Sequence, residues 1–247
     1  MNKIVSCPDL SDLCRTLADF LLDYSSEVVS SAQKFVLALP GGSTPRGLYR
    51  LLAREPYRSR LPWTQVHFFW GDERFVPAYH PDSNYKLAHE TFLGPLSVPD
   101  SNIHRIEAED SSPAQSALNY ETTLREFFGL QPRDYPRFDL ILLGIGVDGH
   151  TASLFPGGSE LSASDRLVTW ARPNSTSVPR VTLTLETINR ARHVAFLVSG
   201  TNKAAVLEKV LDGEKELPAA LVKPVNGSLT FFVDEAAASG PSEVVPD

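Results

Sequence analysis

The apolar run at 138–143 passes without a break into Gly144-Ile145-Gly146-Val147-Asp148-Gly149-His150-Thr151. A short, almost continuous apolar run bounded by glycines reads as a strand covered on both faces. The same unit recurs along the chain. Residues 34–39 precede Pro40-Gly41-Gly42-Ser43-Thr44-Pro45, 66–70 precede Gly71-Asp72-Glu73-Arg74, and 193–198 precede Ser199-Gly200-Thr201-Asn202-Lys203. Segments with helical spacing lie between these strands. Leu10, Leu13, Leu17, Phe20 and Leu21 predict a helix over about 8–30. Further helices are expected over 45–53, from a cap at Asp82 or Ser83 to about 92, over 113–129, and from Lys203 to about 211. Shorter strands are expected at 102–106, 167–171, 180–185 and 229–233. In the 180–185 segment, alternation places Arg180, Thr182 and Thr184 on one polar face.

Strands alternating with helices predict an α/β fold with a mainly parallel sheet and helices on both faces. The 247 residues suit a single domain over 1–247, with no repeat or low-complexity linker, and a tail at about 235–247 expected to be mobile. A formal net charge of −7 argues against nucleic acid as a partner. No apolar run reaches the length of a membrane span or a signal peptide, so a soluble, cytoplasmic protein without membrane contact is expected. Cys7 and Cys14 are expected to be free thiols, and no Cys/His cluster completes a metal site.

In a parallel sheet, ligands sit outside the carboxyl ends of the strands. Gly41, Gly42, Ser43 and Thr44 let backbone N–H groups approach an anion at a helix start. The loop lacks the Gly-Lys-Ser/Thr ending of a P-loop and the Gly-x-Gly-x-x-Gly of a dinucleotide site. Lys203 is placed in a first helical turn, where a cation opposes the helix dipole unless an anion lies between them. Arg180, at a strand start, has the planar fork that suits phosphate. Each loop alone has a plainer reading as a surface turn. Together they describe an anion cradle (Gly41, Gly42, Ser43, Thr44, Arg180, Lys203) beside an acid/base cluster (Asp72, Arg74, Asp148, His150). That combination suits a phosphorylated small molecule undergoing proton transfer.

Three stretches, 39–45, 70–77 with Asp82-Ser83-Asn84-Tyr85, and 144–156, closely resemble the 6-phosphogluconolactonase family. Pro179-Arg180-Val181-Thr182-Leu183-Thr184 and Ser199-Gly200-Thr201-Asn202-Lys203-Ala204 extend the likeness, which runs in order from about 34 to 233. The resemblance implies the Rossmann-type fold shared with glucosamine-6-phosphate deaminase, ribose-5-phosphate isomerase and CoA transferases. It implies hydrolysis of 6-phospho-D-glucono-1,5-lactone in the oxidative pentose phosphate pathway, with neither metal nor cofactor. His150 carries over as the catalytic base. Asp148 or Asp72 is expected to orient its imidazole, and Arg74 with loop N–H groups to stabilise the oxyanion. Ser153 lacks a Gly-x-Ser-x-Gly elbow and is expected to be a helix cap or a spectator. The rival readings are glucosamine-6-phosphate deaminase, or a sugar-phosphate sensor without turnover. The deaminase family usually has a tyrosine where Arg74 stands. A monomer is expected, with a weak homo-oligomer the alternative.

Overall fold

The computed structural model describes residues 3–109, 111–163 and 165–239. Its strands are β1 (Lys3–Cys7), β2 (Phe35–Leu39), β3 (Val66–Trp70), β4 (Asp72–Arg74), β5 (Leu140–Leu143), β6 (Val168–Ala171), β7 (Arg180–Leu183), β8 (His193–Val198) and β9 (Ser228–Asp234). Its helices are α1 (Leu10–Ala32), α2 (Ser43–Leu52), α3 (Tyr57–Arg60), α4 (Asn84–Ala88), α5 (Pro113–Phe128), α6 (Leu185–Ile188), α7 (Ala204–Asp212) and α8 (Glu235–Ala238). Six strands form one parallel sheet in the order β1-β9-β8-β5-β2-β3. The other three form an antiparallel sheet in the order β4-β7-β6.

The apolar runs form strands because both of their faces are covered. Every residue of β2 and β5 is buried. On β3, Phe68 meets Phe92 and Trp63, while its neighbour Phe69 meets Phe127 and Phe128 of α5. Successive strand residues point to opposite faces, so packed structure lies on each side. Sequence signals close the helices as expected. Asp9 caps α1, Ser112 caps α5 ahead of Pro113, and Gly129 ends α5 in the left-handed region. Of the two candidate caps near residue 83, Ser83 is the one used, its Oγ accepting from Lys86 N at 3.0 Å. The helix then continues as a π-helical turn over His89–Leu93.

Two expectations are corrected. The expected strand at 102–106 reduces to one bridge between Ile103 and Phe68. The strand expected to reach residue 185 stops at Leu183, because Thr184 caps α6 through its hydroxyl. Thr182, on the face that alternation makes polar, is fully buried. Within the tail expected at about 235–247, α8 is capped by Asp234; 240–247 lie outside the described residues. Strand β1 was not anticipated. It is a sheet edge paired only to β9, and most of its residues are exposed, so it lacks an apolar run.

Glu73, on β4, holds the short helix α4 in place. Its carboxylate accepts from Arg74 N, Asn84 N and Tyr85 N at 2.7–2.8 Å and from Ser83 Oγ at 3.0 Å. Burial raises its pKa, while the three backbone donors oppose that shift. Glu73→Ala would strand all four donors. It is expected to cost about 3 kcal/mol or more, with Glu73→Gln costing less, read from chemical denaturation.

Two half-buried histidines set an acid limit on stability. Burial lowers His104 and His193 from 6.5 to about 4, helped by His67 beside the first and Lys3 near the second. His104 Nε2 lies 3.2 Å from His67 Nδ1, and both rings pack on Phe127. Between pH 6.5 and about 4 the unfolded chain therefore binds more protons than the folded one. Their contribution to stability is complete above 6.5 and is lost as pH falls through that window. The drop in Tm between pH 7 and pH 5 is expected to shrink in His104→Asn; an unchanged drop would exclude this origin.

Candidate active site

Neighbouring strands β8, β5, β2 and β3 are parallel, so the loops that leave them emerge at one edge of the sheet. From β2 the chain moves outward to β3, then returns to β5 on the other side of β2. That reversal opens a crevice between the ends of β2 and β5. A cleft of about 240 Å³ lies there, lined by residues 40–45, Gly144, Gly146, His150, Asp72, Arg74, Arg180 and Lys203 among others.

The first wall is the start of α2. Gly42 has φ 107°, a conformation open to glycine and strained for other residues. No side chain caps α2, so its first-turn N–H groups and the positive end of its dipole are available to an anion. The second wall repeats the device with a modification. Gly200 has φ 98°, and a 3₁₀ turn over Thr201–Lys203 precedes α7. Lys203 therefore sits just before the α-helix proper, not within its first turn. Asp234, at the end of β9, pins this loop by accepting from Ser199 Oγ at 2.5 Å and Gly200 N at 3.0 Å.

Opposite them stands the loop after β5. Gly149 N donates to Gly146 O and Gly146 N to His150 O, closing a tight turn. A Cβ on Gly146 would overlap the His150 ring, so glycine there makes room for the imidazole. His150 Nδ1 lies 2.5 Å from Asp148 Oδ1. Burial raises the Asp148 carboxyl, but bonding to His150 and its charge outweigh that and lower it, so the group is a carboxylate. A carboxylate only accepts, which assigns the ring proton to Nδ1 and leaves Nε2 as the basic nitrogen.

Arg180 is at a strand start, as expected. It starts β7 in the antiparallel sheet, directly opposite Arg74 on β4. Burial lowers the Arg180 pKa, Arg74 lowers it further, and Asp72 and Asp148 raise it. Lys203 is likewise lowered by burial and supported by Asp148. Like charges opposed across two strands are unfavourable without a counter-ion. Arg180 also lies 5.6 Å over the Phe155 ring, which packs on His150 with centroids 4.8 Å apart.

All ten predicted site residues converge on this edge, and the choice of aspartate is resolved. Asp148 contacts His150, whereas Asp72 is engaged by Ser153 and Asn84 instead. Ser153 caps no helix; it is fully buried and donates to Asp72. Asn84, Phe155, Ser199 and Asp234 were not singled out individually. Asp234 follows an apolar strand that ends in a charge, the same signal that exposed Asp72.

Residues 8–231 match the model of the glucosamine-6-phosphate isomerases/6-phosphogluconolactonase family. A 6-phosphogluconolactonase of Synechocystis sp. is 41% identical over 215 residues, covering 86% of this chain and 87% of that protein. The chloroplastic 6-phosphogluconolactonase 3 of Arabidopsis thaliana is 37% identical, covering 96% of this chain and 75% of that protein. Among solved structures, the 6-phosphogluconolactonase from Trypanosoma cruzi superposes with a TM-score of 0.87 at 31% identity, covering 98% of this chain and 97% of that one. No described helix is long and apolar enough to cross a membrane. On the strength of a family model spanning most of its length and of relatives this similar, the chain belongs to the glucosamine-6-phosphate isomerase/6-phosphogluconolactonase family.

Proposed function

We propose that the chain hydrolyses 6-phospho-D-glucono-1,5-lactone to 6-phospho-D-gluconate, the lactone-opening step of the oxidative pentose phosphate pathway. The observation that carries this reading is the Asp148–His150 pair opening onto the same cleft as an uncapped helix start and three cationic side chains. Ser43, Thr44, Arg180 and Lys203 hold the phosphate, and its grip fixes the distance to the lactone carbonyl at the other end of the sugar.

His150 Nε2 removes a proton from water as the water oxygen attacks C1. Asp148 holds the ring and stabilises the imidazolium that forms. Arg74 and loop N–H groups receive the developing oxyanion. The tetrahedral intermediate collapses by breaking the bond from C1 to the ring oxygen, and His150 returns its proton to that oxygen. The product carboxyl then ionises in solution.

Because this lactone also opens spontaneously, the test is a coupled assay on freshly generated substrate, with and without protein. Acid release well above the spontaneous rate is expected. Ammonia release from glucosamine 6-phosphate would favour deamination instead, and binding without turnover would favour a sensor.

A further inference from the structure

Beneath the cleft lies a chain of four buried polar residues. Thr182 and Ser153 are fully buried, Asn84 is 2% exposed and Asp72 6%. Ser153 N donates to Thr182 Oγ1 at 3.2 Å, and Ser153 Oγ donates to Asp72 Oδ2 at 2.6 Å. Asn84 Nδ2 donates to Asp72 Oδ1 at 3.3 Å and to the Asp72 carbonyl at 2.9 Å. Asn84 also underlies the anion loop: a Cβ on Gly41 would overlap its carboxamide. The loop and the network are therefore seated on one another.

Folding alone gives no reason to bury a carboxylate here, since apolar residues of similar volume would serve as well. Asp72 nonetheless lines the cleft. Its two oxygens offer about four acceptor positions, and the two side-chain donors occupy one on each oxygen. The remaining positions can accept from a ligand. A sugar ring presents hydroxyl donors, and a site built to bond a hydroxyl discriminates strongly through it.

We propose that Asn84 and Ser153 are positioning residues that lock the Asp72 carboxylate, one donor per oxygen, as a fixed acceptor for a hydroxyl of the sugar ring. The inference rests on the lactonase reading and extends it from the two ends of the substrate to its middle.

Asn84→Asp provides the test. It sets two carboxyl groups against each other, and such a pair holds one shared proton at low pH. In that form the introduced group donates as the amide does; once the proton is lost, the two repel. The kcat/KM of Asn84→Asp relative to the parent is expected to fall at least tenfold between pH 5.5 and pH 8. A packing role would lower the ratio equally at every pH, and that result would overturn the proposal.

Should that variant not fold, Ser153→Ala removes a single oxygen. It is expected to lower kcat/KM about tenfold or more while leaving competitive inhibition by inorganic phosphate unchanged. Parental kcat/KM in Ser153→Ala, or an equal loss of phosphate affinity, would overturn the proposal. A parent without lactone hydrolysis above the spontaneous rate would overturn the lactonase reading itself, before any variant is made.

Discussion

His150→Ala is expected to lower kcat by about 10²–10⁴-fold, the usual worth of a positioned general base, while KM changes by no more than a few-fold. The ring is held at Nδ1, with Phe155 packed against it. Asp148 takes Nδ1 at 2.5 Å, and the backbone N–H of His150 also reaches Asp148 Oδ1 at 3.2 Å. Gly149, with φ 83°, lets the turn close against Leu217, where a Cβ would collide. Ala219 N braces the turn through Gly149 O. Such a rigid support serves a group whose direction matters. Asp148→Asn separates charge from shape. An amide can donate to Nδ1, which moves the ring proton to Nε2 and removes the base, so a loss on the order of 10²-fold or more is expected with the ring still in place. Initial rates on freshly generated lactone measure both. Parental kcat in His150→Ala would exclude the imidazole from the chemistry.

The parts of this site most legible in the sequence are those set by backbone rules. Apolar runs covered on both faces become parallel strands, and parallel strands deliver their exit loops to one edge. That reasoning brings Gly42, Ser43, Asp72, Asp148 and His150 to one edge of the sheet, where the structure has them, without any knowledge of strand order. It does not show that β7 pairs antiparallel, because four residues such as Arg180-Val181-Thr182-Leu183 do not reveal the direction of their partners. Nor does it show the burial of Ser153 and Thr182, because only the second sheet closing over a hydroxyl makes it a buried donor or acceptor. Strand β1 escaped notice because most of its residues are exposed, and its pairing is decided by β9, more than 200 residues away. Asp148 could be chosen over Asp72 only with coordinates, since both follow buried strands.

The second large effect concerns the opposed guanidiniums. Arg180→Ala is expected to raise KM for the phosphorylated lactone about 10- to 100-fold, the range for losing a hydrogen bond to a charged group, with a smaller change in kcat. Arg74 and Arg180 are register partners on β4 and β7, and the Arg74 charge lowers the Arg180 pKa. In the proposed reading the substrate brings negative charge to both, its phosphate to Arg180 and its developing oxyanion to Arg74. Their substitutions are then coupled, and Arg74→Ala with Arg180→Ala together should cost less than the sum of the separate losses. The same logic predicts a signature that needs no turnover. Phosphate at 100 times its Kd should stabilise the parent by about 2.7 kcal/mol, and the same phosphate concentration should stabilise Arg180→Ala far less. Thermal melts across a phosphate titration give both numbers. Equal stabilisation of parent and Arg180→Ala would place the phosphate elsewhere, because a phosphate held by that guanidinium cannot lose it without losing affinity.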